Sequence, residues 1–413
     1  MLLNTFNNLE PAKRRNLLIL FVTGLFFWIS ITSLLPTLPA YIQDVGATKQ
    51  QVGIVMGCFA IGLLLSRTFL GWLADSHTRK LVILIGIVVV ITAPLGYVFT
   101  QSIPVLMGLR AFHGISVAAF TTGYSALVID LSPLKQRGEL IGYMSLAVSV
   151  GMAFGPALGG FLQEKAGYTV LFLVSAGCGF VALILGSLVR EKKRGVTQNM
   201  TGVTPLTRSF WELMGNPALQ IPTVVLLLVG LVFGTLVTFL PLYVEEAKID
   251  LNAGLFYTAA AIASFVVRVF AGRASDTLGR GLLITGGLGC YGVSMTLLAI
   301  ATTPQVFLLA AVMEGVGAGV VIPMMLALMG DRSYDNERGK VSSICIGGFD
   351  LGIALAGPIF GFVAEVSSYR GMFSLTAGLA VLALVIFLTQ SGKNLTHSFR
   401  FALGKGKDTY ALE

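Results

Sequence analysis

The chain has 413 residues, of which 55% are hydrophobic and only 12% charged, and its mean hydropathy is +0.84. That leaves too little polar surface to cover a water-soluble globule and excludes a soluble domain as the main body of the chain. The formal net charge of +8 suggests a polyanionic partner by its size alone, so the placement of the cations decides what it means.

Twelve apolar stretches follow one another along the chain: 16–41, 50–74, 80–100, 104–130, 139–163, 169–189, 217–243, 252–272, 281–302, 305–330, 341–365 and 370–390. Each is long enough to cross roughly 30 Å of hydrocarbon as a helix rising about 1.5 Å per residue. The first is too long for a cleavable leader and no A-x-A-like site follows it, so it is expected to be mature structure. Cys58, Cys178, Cys290 and Cys345 all fall inside these stretches, with no CxxC pair and no histidine cluster at ligand spacing. Disulfide, zinc and redox readings therefore have little support. No Walker loop or nucleotide fingerprint is present, so neither a cofactor nor ATP-driven pumping is expected.

With both termini in the cytoplasm, the cytoplasmic segments hold 21 of the 28 lysines and arginines; four (Lys49, Lys165, Lys248, Arg370) fall in outer loops and three (Arg67, Arg110, Arg268) within spans. This positive-inside bias accounts for the charge without nucleic acid. The expected location is the inner (plasma) membrane of a bacterium, crossed many times. The sequons at Asn199 and Asn394 fall on the cytoplasmic side and are discounted.

The only long polar connection, REKKRGVTQNMTGVTPLTRSFWELMGNP, divides the chain into a six-span bundle (1–189), a cytoplasmic linker (190–216) and a second six-span bundle with a short tail (217–413). A shift of 201 positions lays Arg67 on Arg268, Gly71 on Gly272, Asp75 on Asp276, Arg79 on Arg280, Gly114 on Gly315 and Asp130 on Asp331. A shift of 202 matches Leu38-Pro39 to Leu240-Pro241 and Gly155-Pro156 to Gly357-Pro358. An offset this steady marks an internal repeat of about 200 residues, parallel because six spans is an even number. Parallel halves leave a cavity near the bilayer midplane, whose natural use is transport.

The loop GWLADSHTRK (Gly71 to Lys80) and its mate AGRASDTLGR (Ala271 to Arg280) resemble the major facilitator superfamily signature G-x-L-a-D-r-x-G-r-k. The resemblance covers essentially the whole chain. It implies an all-α membrane protein of twelve helices in two six-helix parallel pseudo-repeats, similar to drug/proton antiporters and sugar-efflux exporters. It also implies that Gly71, Asp75, Arg79, Gly272, Asp276 and Arg280 form a conformational latch, although topology charge alone is the simpler reading of each. Ser76 and Thr78 stand where the signature has Arg and Gly, so the first turn is expected to differ from the second, which keeps Gly279 and Arg280.

GMAFGPALGG (Gly151 to Gly160) resembles the fifth-helix signature associated in this superfamily with exporting antiporters. Gly151, Gly155 and Gly159 make one flat helix face and Pro156 is placed to bend it, with Gly160, Gly357 and Pro358 completing the proposed hinge. Small-residue packing alone also produces such spacing.

Ionisable groups within spans are functional candidates because they are costly there. Arg110 and His113 share one face of the fourth span, about 9 and 13 Å from its outer end at 1.5 Å per residue. Glu314 is the repeat mate of His113, and Asp350 that of Ser149. Burial favours the neutral form of a carboxyl, which makes Glu314 and Asp350 candidate proton carriers. Arg110, His113, Glu314, Trp28 and Tyr124 are the candidate substrate contacts, with Phe26, Phe27, Met324, Met325 and Met329 as apolar lining or ordinary packing.

The expected function is secondary active transport, a proton-coupled antiporter exporting a small organic molecule by alternating access, with no catalytic residues. The partners are the substrate, protons and the lipid bilayer, and the chain is expected to be a monomer. The alternatives are a proton-coupled symporter importing a sugar or organic acid, with Arg110 as anchor, and a non-transporting receptor or scaffold, which would be expected to carry soluble sensor domains.

Overall fold

Prolines and short polar side chains start most of the helices, as the sequence at each apolar run requires. The computed structural model describes residues 9–133, 136–191, 209–334 and 337–412, and the side chains of Phe210, Arg273 and Asp276 lie outside the described set. Within it, α1 (Pro11–Thr32), α2 (Leu38–Asp44), α3 (Lys49–Ser76), α4 (Arg79–Val98), α5 (Ile103–Leu131) and α6 (Arg137–Leu188) precede the linker. After it come α7 (Phe210–Met214), α8 (Pro217–Glu246), α9 (Ala253–Leu278), α10 (Arg280–Ile300), α11 (Pro304–Asp331), α12 (Arg338–Val366), α13 (Tyr369–Gln390) and α14 (Leu395–Ala402). Most of the linker, including Asn199, lies outside the described residues.

Eleven helices among the described residues are long and apolar enough to cross a membrane. One of them, α6, has 52 residues, about 78 Å of helix at 1.5 Å per residue and more than twice a bilayer core. It is interrupted at Gly167, whose φ of 79° and ψ of 176° are non-helical. A β-carbon disfavours that conformation, so a glycine reverses the chain there. The expected fifth and sixth spans are therefore the two arms of one helical run, and the crossings number twelve. The first expected span, 16–41, is corrected in the other direction: α1 ends at Thr32, a turn covers 33–37, and α2 follows.

The described helices form two compact units. The first comprises Met1–Ala47, Cys58–Gln198 and Asn252–Thr258; the second comprises Thr48–Gly57, Asn199–Leu251 and Ala259–Glu413. In the first, α1 packs along α6, and α4 packs on both α5 and α6. Its core joins Leu17, Leu20, Phe27, Ile87, Val90 and Phe120, with Phe27 stacked on Phe120 at 3.8 Å between centroids. In the second, α8 packs along α12, and α10 packs on α11 and α13, which is the same set of pairs displaced by one repeat.

Side-chain detail repeats as well. The Tyr41 hydroxyl donates to the carbonyls of Tyr97 (3.0 Å) and Thr100 (2.8 Å). The Tyr243 hydroxyl donates to those of Leu298 (3.1 Å) and Ala301 (3.3 Å). In both units a tyrosine hydroxyl thus sits between two carbonyls at the end of a span, where backbone acceptors outnumber backbone donors. The repeat read from the sequence is a repeat of structure.

The sequence predicts a short tail after the last span. There α14 and the residues after it fold onto the second unit, held by Arg332. Its Nε and Nη2 donate to Asp408 Oδ2 (2.7 Å) and Oδ1 (2.9 Å), Nη1 to the Ala218 carbonyl (2.8 Å), and Nη2 also to the Ser391 carbonyl (2.7 Å). Asn394, the second sequon, serves as the N-cap of α14, its Oδ1 accepting from the His397 amide at 2.8 Å.

Candidate functional site

The glycine signature of α6 has two working faces. A β-carbon on Gly151, Gly155 or Gly159 would fall 2.4 Å from Trp28 Cβ, 2.0 Å from Thr32 Oγ1 and 1.8 Å from the Ser33 carbonyl oxygen. This face lies directly on α1, close enough for the Thr32 hydroxyl to donate to the Gly151 carbonyl at 2.9 Å. The other face meets the start of α9: a β-carbon on Gly160 would fall 2.1 Å from Asn252 Oδ1, and one on Gly254 would fall 2.2 Å from the Pro156 carbonyl oxygen. Asn252 also donates to Glu164 at 3.0 Å, and the Thr258 hydroxyl donates to the Ala153 carbonyl at 2.6 Å. Helical dihedrals continue through Pro156; only Gly167 leaves them. In the second unit a β-carbon on Gly357 would lie 2.0 Å from the Gly53 carbonyl oxygen, and one on Gly57 would lie 3.1 Å from Pro358.

Arg110 and His113 are both buried on α5. The Arg110 guanidinium sits 4.3 Å over the Phe59 ring, an arrangement in which the ring quadrupole offsets part of the lost hydration. The Tyr97 hydroxyl lies 3.2 Å from His113 Nδ1, while His113 Nε2 and Arg110 Nε have no hydrogen-bond partner. His113 has no exposed surface here, so a substrate reaches it only after rearrangement. Phe59 and Tyr97 were not singled out from sequence, because an aromatic inside an apolar span carries no pattern of its own. Tyr97→Phe is expected to leave both ring nitrogens of His113 unpaired and to cost about 1–3 kcal/mol. Thermal unfolding of the purified protein in detergent reads this directly, and an unchanged midpoint would show that the pair carries no stability.

Trp28 and Tyr124 do meet around one cavity of about 140 Å³, lined also by Phe120, Thr121, Ser125 and Met144 among others. The Tyr124 hydroxyl is already committed, donating to the Met144 carbonyl at 3.1 Å. Phe27, Met325 and Met329 are fully enclosed and Met324 nearly so, which makes them packing residues in this conformation.

In the second unit Glu314 is buried on α11, its Oε1 without a hydrogen-bond partner. Tyr291 of α10 lies within electrostatic range of it, and the Tyr291 hydroxyl is likewise without a hydrogen-bond partner. Asp350 is buried on α12 and has an interaction partner of its own.

The signature loops form local ion pairs. Arg79 binds Asp75 one turn earlier on the chain, and its Nε lies 3.6 Å from Asp130. Arg280 pairs with Asp331, the repeat mate of Asp130. Asp75 is largely exposed, Gly71 and Gly272 have open space where a β-carbon would go, and the Asp276 side chain lies outside the described residues. The two loops turn differently, as expected. Thr78 caps α4 with its hydroxyl at a φ of −133°, whereas Gly279 begins α10 at a φ of 83°.

Twelve spans in two like-built units, with buried ionisable groups in each, define a polytopic membrane protein of the transporter type. The model of the Major Facilitator Superfamily matches residues 20–290 and 250–401, and the chain belongs to that superfamily. It is 28% identical over 208 residues to the quinolone resistance protein NorA of Staphylococcus aureus (strain MRSA252), a match covering 50% of this chain and 53% of that protein. The chain thus spans about half the length of the NorA relatives it matches. A match of 21% identity to the MFS-type transporter MJ1560 of Methanocaldococcus jannaschii covers 90% of this chain and 97% of that one. Among solved structures, a mutant of the nucleoside transporter NupG superposes with a TM-score of 0.78 at 13% identity, over 90% of this chain and 98% of that chain.

Proposed function

We propose that this protein is a proton-coupled antiporter that exports a small organic molecule from a bacterial cytoplasm by alternating access, with both termini on the cytoplasmic side of the inner membrane. The observation that carries the reading is Glu314, a carboxyl buried within a span with one oxygen unpartnered. A carboxyl in that position is retained for chemistry rather than for packing. Proton binding and release there, shared with Asp350, is the coupling step. The similarity to a quinolone resistance protein supports export over import, as does the glycine signature of α6.

The cavity at Trp28 and Tyr124 supports a substrate with an aromatic or compact apolar part. Its roughly 140 Å³ is close to the ~150 Å³ apolar cavity that accepts a benzene ring, so it takes one ring and not a whole drug-sized molecule. Arg110 is the proposed polar contact, and the paired loops around Asp75 and Arg79 are the proposed latch.

The test uses proteoliposomes loaded with a quinolone as probe. Glu314→Gln and Asp350→Asn, made separately, are expected to weaken substrate-driven proton flux at least tenfold in one of the two. Uphill transport by both variants with unchanged dependence on the pH gradient would exclude coupling through these carboxyls.

A further inference from the structure

At the end of the first unit where α1 and α6 begin and α5 ends, the end that the proposed topology puts in the cytoplasm, lies a cavity of about 680 Å³. It is unrelated to the buried acids and to the aromatic niche. Four cationic side chains line it, Lys13, Arg15, Arg137 and Arg190, against the carboxylates of Glu10, Asp130 and Glu191. Each of those carboxylates is already engaged. Glu10 lies 3.6 Å from Lys13, and Asp130 faces Arg79. Glu191 accepts from the backbone amides of Arg79 (3.1 Å) and Lys80 (2.8 Å), capping α4.

Arg15, Arg137 and Arg190 are thereby left without an acidic partner among the described residues. Arg137 is the most telling of the three. It is the first residue of α6, where the helix dipole opposes a cation, and its Nε is enclosed without a hydrogen-bond partner. No side chain caps that helix start. The acid in the first turn of α6, Glu139, is engaged elsewhere and accepts from the Tyr143 hydroxyl at 2.9 Å.

The geometry points to a binding site for a phosphate-bearing anion in this cavity, with the guanidinium groups of Arg137, Arg15 and Arg190 as its donors. Guanidinium groups match phosphate oxygens in pairs, and the positive end of the α6 dipole favours an anion there. The volume falls in the range of small-molecule pockets, which is more than a bare phosphate fills. Leu127 and Leu131 line the same space, at the ends of two apolar spans, α1 and α5. The head group of an anionic phospholipid and a soluble phosphate are the two sources of this chemistry.

The experiment takes the full chain, purified and delipidated in neutral detergent, and follows thermal unfolding against short-chain phosphatidylglycerol, short-chain phosphatidylcholine and inorganic phosphate. Saturable stabilisation by phosphatidylglycerol or phosphate is expected, with none from phosphatidylcholine. Protection by phosphatidylglycerol alone assigns the site to lipid, and equal protection by phosphate assigns it to the free ion. Arg137→Gln with Arg190→Gln is expected to weaken the apparent affinity at least tenfold, and the exposed Arg15→Gln alone about threefold. Arg338→Gln, at the repeat mate of Arg137, serves as control and leaves the affinity unchanged. Equal protection by phosphatidylcholine, or equal weakening by Arg338→Gln and the Arg137 and Arg190 pair, would overturn the proposal. The Arg15 variant keeps the test decisive should the double variant fail to fold.

Discussion

Arg332→Ala is expected to lower the stability of the second unit by about 3–5 kcal/mol, the cost of leaving one partner of a buried ion pair uncompensated. The Arg332 side chain is wholly buried and that of Asp408 is 10% exposed, so water cannot replace the lost contacts without opening the tail. One guanidinium fork joins the end of α11 to the start of α8, the end of α13 and the tail, through Ala218, Ser391 and Asp408. Arg332→Lys retains the charge but not the fork, and is expected to recover less than half of the loss. Asp408→Ala alone leaves a buried cation, whereas the double variant Arg332→Ala with Asp408→Ala removes both charges. The double variant is therefore expected to be less damaged than the sum of the singles by at least ~1 kcal/mol. Thermal unfolding in detergent measures all four proteins, and strict additivity would show that the two side chains do not act as a pair.

The twelve crossings were legible because hydrocarbon imposes a length and a composition on each helix that nothing else in the chain imitates. The repeat was legible for a related reason. Both halves solve the same packing problem, so residues with little freedom, such as Asp130 and Asp331 or the two Gly-Pro pairs, recur at one offset. Even the different turns before α4 and α10 could be anticipated, since Thr78 stands where its mate is Gly279. Partnership between spans was not legible. His113 announced itself as a polar group in an apolar run, but its neighbour Tyr97 did not, because an aromatic residue satisfies hydrophobic patterning and hydrogen-bonding demand alike. Arg332 was hidden by the opposite effect. A positive-inside reading accounts for every cation between the spans equally well, so sequence gives no sign that this one is enclosed. The division of α6 was legible as well, since Gly167 falls between the expected fifth and sixth spans.

Gly159→Ala is expected to cost at least ~3 kcal/mol and to reduce the folded yield severely, since the new methyl would meet a backbone atom. The Ser33 carbonyl oxygen lies 1.8 Å from the position of that methyl, so α1 and α6 must separate by more than an ångström. Separation at this point also breaks the Thr32 bond to the Gly151 carbonyl and loosens the packing around Phe27 and Phe120. Overpacking in a dense interior costs about 1–3 kcal/mol where side chains can adjust, and more where backbone must move. Gly142 and Gly177 on the same helix have nothing within 4 Å of a β-carbon. Alanine at either is expected to be neutral or stabilising by up to ~1 kcal/mol through helix propensity. Gly160 separates packing from function, because its β-carbon would meet the amide tip of Asn252, which can turn away. Gly160→Ala is thus expected to keep the folded yield while displacing the Asn252 bonds to Glu164 and to the Gly254 amide. The transport rate of Gly160→Ala is expected to fall several-fold with binding little changed. Size-exclusion yield and initial transport rate, measured side by side, check the ordering. A Gly159→Ala protein as abundant and stable as the Gly142→Ala protein would refute the close backbone contact on which it rests.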